Sequence, residues 1–228
     1  LFYFSPIFRY ERPQSGRFRQ HHQFGVEAIG DSDPIVDAEV IQLGWEFTKL
    51  LGLENLDLRL NTIGDSNCRP FYINSLRDYY HQPVLEGLVC PDCELRYERN
   101  VLRMLDCKRN DFSCQVLGDQ APASSEHLCE ECKKHWETLT KHLYSMQIPF
   151  QTSHRLVRGL DYYTRTVFEI QPKSERGAQN TILAGGRYDG LIQELGGVST
   201  PGMGFGSGIE RLVLNIKRQK TVWWIPDC

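Results

Sequence analysis

Four arginines, Arg9, Arg12, Arg17 and Arg19, stand against one acid, Glu11, in the segment RYERPQSGRFR. Guanidinium forks match phosphate oxygens in two-point geometry, so a hairpin tip of this kind suits a phosphate clamp; a solvated basic loop has the same composition. A few residues on, QFGVE puts Gln23, Gly25 and Glu27 on one face of a strand by period two, with Phe24 and Val26 on the other. Two polar groups flanking a glycine leave room for a small ligand whose amine Glu27 would pair, and a plain solvent-facing edge reads alike. The stretch LVRGLDYYTRTVFEI gathers Arg158, Asp161, Tyr162, Tyr163 and Arg165 ahead of a β-strand pattern. AGGRYDG at 184 to 190 and PGMGFGSGIER at 201 to 211 each lead from glycines into a helix. They either cradle phosphate or permit close backbone packing, and neither fits the P-loop or dinucleotide-binding spacing.

Six of the eight cysteines fall between positions 90 and 132. CPDC at 90 to 93 and CEEC at 129 to 132 are paired C-x-x-C knuckles, which point to structural zinc in a reducing compartment; free thiols in a helical module are the alternative. Four of the six suffice for one ion. Cys90, Cys93, Cys129 and Cys132 are the favoured set, with Cys107 and Cys114 as substitutes.

These residues need a scaffold. Apolar runs at 1 to 10 and 20 to 29 flank the basic loop and predict a long antiparallel hairpin. Asp33 before Pro34 starts a helix whose face is Val36, Val40, Leu43, Phe47 and Leu50, stopping near Gly52. LDLRLNTIG alternates as a half-buried strand, and a second helix covers about 69 to 81. Further strands are expected at about 150 to 157, 164 to 171 and 179 to 184, a short helix over YDGLIQELGG, a small-residue strand at GMGFGSG and a closing helix over IERLVLNIKRQ. Consecutive antiparallel strands with helices to one side make an α+β fold. The segment 82 to 148 lacks strand alternation and reads as an inserted module, dividing the chain into 1–81, 82–148 and 149–228.

At 228 residues, 40% hydrophobic, 24% charged and with a net charge of −3, the chain is a globular protein rather than a disordered one or a general nucleic-acid coat. No apolar run is long enough for a transmembrane helix, and the arginines near the N-terminus do not suit a signal peptide, so the expected setting is cytoplasmic, without a membrane partner. Starting without Met inside a strand pattern, the chain reads as a piece of something longer.

FRYERPQSGRFRQHHQFGVE, RGLDYYTRTVFEI, AGGRYDGL and GMGFGSGIERL together resemble the bacterial-type histidyl-tRNA synthetase family, in order and over nearly the whole chain. The resemblance implies a class II synthetase core that activates histidine with ATP and Mg2+ and transfers it to tRNA(His), in a protein that dimerises with itself. It implies Arg9 and Arg158 as catalytic groups on the α-phosphate, and Glu11, Arg17, His21 and Arg211 at ATP, His21 standing where the family usually has phenylalanine beside adenine. Gln23, Glu27, Arg158, Tyr162, Tyr163, Gly185 and Tyr188 are implied at histidine, with Glu27 on the α-amino group and Tyr163 and Tyr188 on the imidazole. The cysteine-rich segment takes the place of the family's insertion domain, which contacts the tRNA acceptor arm. Motif 1 and the anticodon-binding domain have no counterpart in these residues. A histidine-biosynthesis regulatory subunit shares the fold without aminoacylation, but Arg9, Arg17, Arg158 and Arg211 favour the enzyme. A stand-alone zinc RNA-binding module would explain residues 90 to 132 alone.

Overall fold

A computed structural model describes residues 1–10, 18–157, 162–173 and 181–219. Glu11, Arg12, Arg17, Arg158 and Asp161 lie outside the described residues.

The apolar runs at the start pair as expected, β1 (Phe2–Phe8) against β2 (Gln20–Ile29), antiparallel, with Tyr3 opposite Gly25. Asp33 caps α1 (Pro34–Leu50) by accepting the Ile35 N–H at 2.9 Å. Pro34 needs no partner in the first turn, so cap and proline start the helix together. Asp33→Ala is expected to cost about 1 kcal/mol, read as a lowered urea midpoint with an unchanged slope. The remaining core elements are β3 (Leu56–Thr62), α2 (Arg69–Leu85), α5 (Glu130–Ser145), β4 (Gln151–Thr152), β5 (Thr164–Pro172), β6 (Leu183–Arg187), α6 (Leu191–Glu194), β7 (Gly202–Gly208) and α7 (Ile209–Gln219), with α3 (Pro91–Arg99) and α4 (Cys114–Gln120) between α2 and α5. The sheet order is β1-β2-β7-β6-β5-β3-β4, antiparallel at every pairing except β3 with β4. The chain has the expected α+β fold.

One face of the sheet carries Phe24, Leu58, Phe168, Ile170, Leu183, Met203 and Phe205, buried under α1 and α5 with Ile41, Leu139 and Leu143. Each such side chain stabilises the fold by about 1.5–3 kcal/mol when fully buried. A second core joins Tyr72, Leu76 and Tyr80 of α2 to Cys90, Cys93, Met104, Leu105, Cys107 and Cys114. Packing thus assigns α2 to the cysteine-rich module, and α5 to the main sheet.

Two strand expectations shift. Only Gln151 and Thr152 of the 150 to 157 stretch pair with β3. Beyond them His154 and Arg155 turn to α4 and its approach: the His154 Nε2 lies 3.0 Å from the Gly118 carbonyl, and Arg155 donates to Leu105 and Cys107 carbonyls and to Asp119. Those side-chain bonds draw the segment off the sheet edge. β6 covers 183 to 187, three residues later than expected at its end.

Candidate functional site

Period-two alternation sorts the sheet into two unlike faces. Opposite the apolar core, Gln23, Gly25 and Glu27 of β2 stand beside Gly208, Gly206 and Gly204 of β7, and Gly204 in turn pairs with Gly186 of β6. The row of glycines leaves a shallow floor on which only the polar side chains rise. A Cβ at Gly204 would fall 1.8 Å from Glu27 Oε2, and one at Gly206 would fall 2.6 Å from Gln23 Nε2. Both glycines are therefore required by the side chains that cross them.

β6 alternates across the same two faces. Gly186 meets the Tyr163 ring, with a Cβ there falling 2.8 Å from it, and Tyr188 donates its hydroxyl to Glu27 Oε2. Gly185, expected at histidine, instead faces Phe168 and Phe205 on the core side. Gly186 is the pocket glycine, because the residue on either side of it must point the other way. Arg187 is accordingly buried against Asp37 of α1.

Around this floor, Tyr162 lies 4.8 Å from Tyr163 and 6.3 Å from Tyr188 by ring centroids. The Gln23 amide donates to the Tyr3 hydroxyl at 2.7 Å. Tyr3 was not legible in the sequence, since β1 shows no polar signature; its register opposite Gly25 brings it in. Burial pushes the Glu27 carboxyl above its ordinary value, while the Tyr188 hydrogen bond opposes that shift. Burial likewise raises Tyr188 and Tyr3. A half-buried carboxylate beside a cluster of tyrosines has the chemistry to take a small cation carrying a flat ring.

A second group sits where β2, β7 and α7 meet. His21 is buried, and its Nδ1 has no hydrogen-bond partner among the described residues. Burial first, and then the charges of Arg9 and Arg211, hold this imidazole below its ordinary value. The charges of two guanidinium groups thus act at one buried ring, an arrangement suited to an anion beside a flat base. Arg211 is anchored through the Thr181 carbonyl at 2.7 Å, and Glu210 holds the neighbouring His22 by its N–H at 2.9 Å and its Nδ1 at 2.8 Å.

The cysteines do not form the set favoured from the sequence. Cys90 and Cys93 gather with Cys107 and Cys114, while Cys129 and Cys132 gather with Cys68 and Asp65; within each group the ligand atoms lie within 4.8 Å of one another. The two knuckles cap different helices, Cys90 at α3 in the module and Cys129 at α5 on the main sheet, and this separates them. The Cys90 and Cys107 sulfurs are 3.8 Å apart. A tetrahedral ion with metal–sulfur bonds of about 2.3 Å sets edges of about 3.8 Å. Burial pushes Cys93 and Cys114 up; at Cys90 burial acts the same way, but hydrogen bonds from Cys93, Cys107 and Cys114 outweigh it and hold this thiol lower.

The family model described as histidyl-tRNA synthetase matches residues 1–212. The chain belongs to the histidyl-tRNA synthetase family. It is 56% identical over 222 residues to the histidine–tRNA ligase of a Dehalococcoides mccartyi strain, covering 97% of this chain and 52% of that protein. With the histidine–tRNA ligase of Desulforamulus reducens it shares 49% over 219 residues, 96% of this chain and 51% of the relative. The crystal structure of apo Staphylococcus aureus histidyl-tRNA synthetase superposes with a TM-score of 0.73 at 35% identity, over 97% of this chain and 52% of that one. A Bacillus halodurans structure described as an ATP phosphoribosyltransferase regulatory subunit/histidyl-tRNA synthetase shares the fold, at 20% identity and TM-score 0.60, over 94% and 57%. This member of the family spans about half the length of the curated relatives it matches.

Proposed function

We propose that this chain is catalytic core of a histidine–tRNA ligase, which forms histidyl-adenylate from histidine and ATP and passes the acyl group to tRNA(His). The observation that carries the reading is the glycine-floored pocket with Glu27, Gln23 and the tyrosines, side by side with the Arg9–His21–Arg211 group. A histidine placed with its ammonium at Glu27 and its imidazole among Tyr162, Tyr163 and Tyr188 would send its carboxylate toward the guanidinium groups. That carboxylate oxygen attacks the α-phosphorus of ATP and pyrophosphate leaves; a terminal ribose hydroxyl of the tRNA then displaces AMP from the acyl carbon. Holding two anions together is the main task, and fixed positive charge accomplishes it without reorganisation.

Arg9 and Arg211 are the arginines of this assignment whose surroundings support it, with His21 taking the position beside adenine. Glu11, Arg17 and Arg158 keep the ATP and α-phosphate roles that the resemblance implies. Mg2+ would arrive on the ATP phosphates and offset their charge. The Cys90, Cys93, Cys107 and Cys114 group fits a structural Zn2+ in the module, a closed thiolate site with no open position. The module, taken from the sequence as residues 82–148 between core segments 1–81 and 149–228, is assigned to the tRNA acceptor arm, with α2 packing onto it and α5 onto the main sheet.

A homodimer is proposed for the longer protein, in which a second copy covers the apolar groove of Phe2, Phe4, Phe24, Phe47, Leu212 and Ile216. Phe2 and Phe4 are 78% and 70% exposed, and a face of that kind marks an interface. Among the described residues no helix is long and apolar enough to cross a membrane. A cytoplasmic setting fits the buried free thiols.

Histidine-dependent exchange of pyrophosphate into ATP by the longer protein tests the reading. Exchange is expected for the wild type, with Arg158→Ala abolishing it while histidine still binds. Strong exchange by that variant would remove the role assigned to Arg158. Histidine binding with no exchange in the wild type would favour the regulatory-subunit reading.

A further inference from the structure

The second cysteine group is a candidate site of its own. Asp65 and Cys68 lie in the loop from β3 into α2, and Cys129 and Cys132 open α5, so the two pairs have the spacings D-x-x-C and C-x-x-C. Cys68 and Cys132 are buried, and Asp65 and Cys129 are partly so. The Cys68 Sγ lies 3.6 Å and the Cys129 Sγ 4.0 Å from Asp65 Oδ1. A tetrahedral ion with bonds of about 2.0 Å to oxygen and 2.3 Å to sulfur sets such an edge at about 3.5 Å. The Asp65 N–H points at the Cys68 Sγ from 3.4 Å, the backbone-to-thiolate bond a metal knuckle needs. Gly64 turns the loop at φ 65, and a Cβ there would fall 2.5 Å from that sulfur.

We propose that Asp65, Cys68, Cys129 and Cys132 bind a second, structural Zn2+, independent of the ion proposed for Cys90, Cys93, Cys107 and Cys114. Three sulfurs and one carboxylate oxygen make a closed tetrahedral donor set, and thiolates select zinc over hard cations. The ion fastens the start of α5 to the end of β3. Three thiolates and a carboxylate leave the filled site net negative, and Arg165 offsets part of that charge, 3.4 Å from Asp65 Oδ2 and 3.8 Å from Glu131 Oε2. Arg165 is the left-handed residue, φ 51, at the irregularity where β5 slips its register between Thr164 and Val167. Its N–H donates to the Gly64 carbonyl at 2.7 Å. Arg69, next to Cys68, donates to the Tyr163 carbonyl. The ion thereby braces the backbone that runs on from Tyr163.

Metal content of the purified 228-residue chain, by elemental analysis, tests the site. Two zinc ions per chain are expected, one for each group. Cys68→Ser is expected to lower the content to one and Asp65→Cys to keep it at two. A wild-type content of zero, or a content unmoved by Cys68→Ser, overturns the proposal; a wild-type content of one that Cys68→Ser abolishes upholds it and empties the Cys90 group instead. Should Cys68→Ser fail to fold, cobalt-substituted protein decides. Asp65→Cys exchanges a carboxylate oxygen for a thiolate, so it must strengthen the sulfur-to-cobalt charge-transfer absorption and shift the d–d bands. Identical cobalt spectra for wild type and Asp65→Cys also overturn it.

Discussion

An Asp37→Ala protein is expected to be less stable than the wild type by about 3–5 kcal/mol at neutral pH, the cost of leaving a buried charge without its partner. Asp37 and Arg187 are each fully buried, one on α1 and the other on β6. The Asp37 Oδ1 accepts from Arg187 Nε at 2.9 Å and from its terminal nitrogen, while Oδ2 accepts from Thr166 Oγ1 at 2.6 Å and meets His135 Nε2 at 2.8 Å. Without the carboxylate, Arg187 keeps Asp189 at 3.0 Å and the Asp31 carbonyl at 3.2 Å, too little to offset a desolvated guanidinium. Replacing both partners, Asp37→Leu with Arg187→Met, is expected to recover most of the loss, since no charge is then buried alone. Urea unfolding monitored by tryptophan fluorescence measures all three proteins. A loss under 1 kcal/mol for Asp37→Ala would refute the assignment.

The pH dependence follows from the same contacts. Burial alone would push the Asp37 carboxyl up, but the bonds to His135 and Arg187 overcome it and hold the group below its ordinary value. A carboxyl depressed in the folded state contributes stability that is complete above its unfolded value, about 3.9, and is lost as pH falls through the folded one. Wild type and Asp37→Ala should therefore differ most above about pH 5 and converge on acidification below about pH 4.

The hairpin, α1, β3, β7 and α7 were legible because each carries its own signal: alternation, an Asp-Pro cap, or a glycine strand running into an amphipathic helix. β2 likewise announced its polar face. What one-dimensional pattern could not supply was cross-strand register. Gly185 and Gly186 are equivalent as letters, and only the pairing of Gly186 with Gly204 decides which one meets Tyr163. Tyr3 entered the pocket by the same route. The cysteines failed for another reason: a candidate metal cluster needs closure in space, and Cys68 comes from a loop 61 positions before Cys129, with Asp65 as the fourth group of the cluster. A D-x-x-C search beside the C-x-x-C pairs would have found it. Asp37 and Arg187 were invisible because a buried ion pair across 150 positions has no local pattern.

A Glu27→Gln protein is expected to bind histidine at least 30-fold more weakly, the 2–5 kcal/mol typical of removing one partner from a buried, hydrogen-bonded charge pair. The substitution keeps the size of the side chain, which matters because Gly204 leaves 1.8 Å between its would-be Cβ and Oε2, and the new amide still offers an oxygen to the Tyr188 hydroxyl. Only the charge that faces the ligand ammonium is gone. Stability should move the other way. A carboxyl raised by burial favours the folded state when protonated and loses that advantage as pH rises, so ionised Glu27 opposes folding at neutral pH. Glu27→Gln is therefore expected to unfold at an equal or slightly higher urea concentration while binding histidine poorly, a pairing that a merely structural glutamate would not produce. Calorimetric titration against pH adds a second reading. Wild-type affinity must fall on acidification as Glu27 takes up its proton, and this limb lies above the range of an ordinary glutamate because burial raises the group. The imidazole of the free ligand titrates identically in both experiments, so the difference between the two profiles reports the loss of the Glu27 carboxylate. Equal affinities at neutral pH, or profiles that run parallel through the acid range, would place the ammonium elsewhere on the glycine floor.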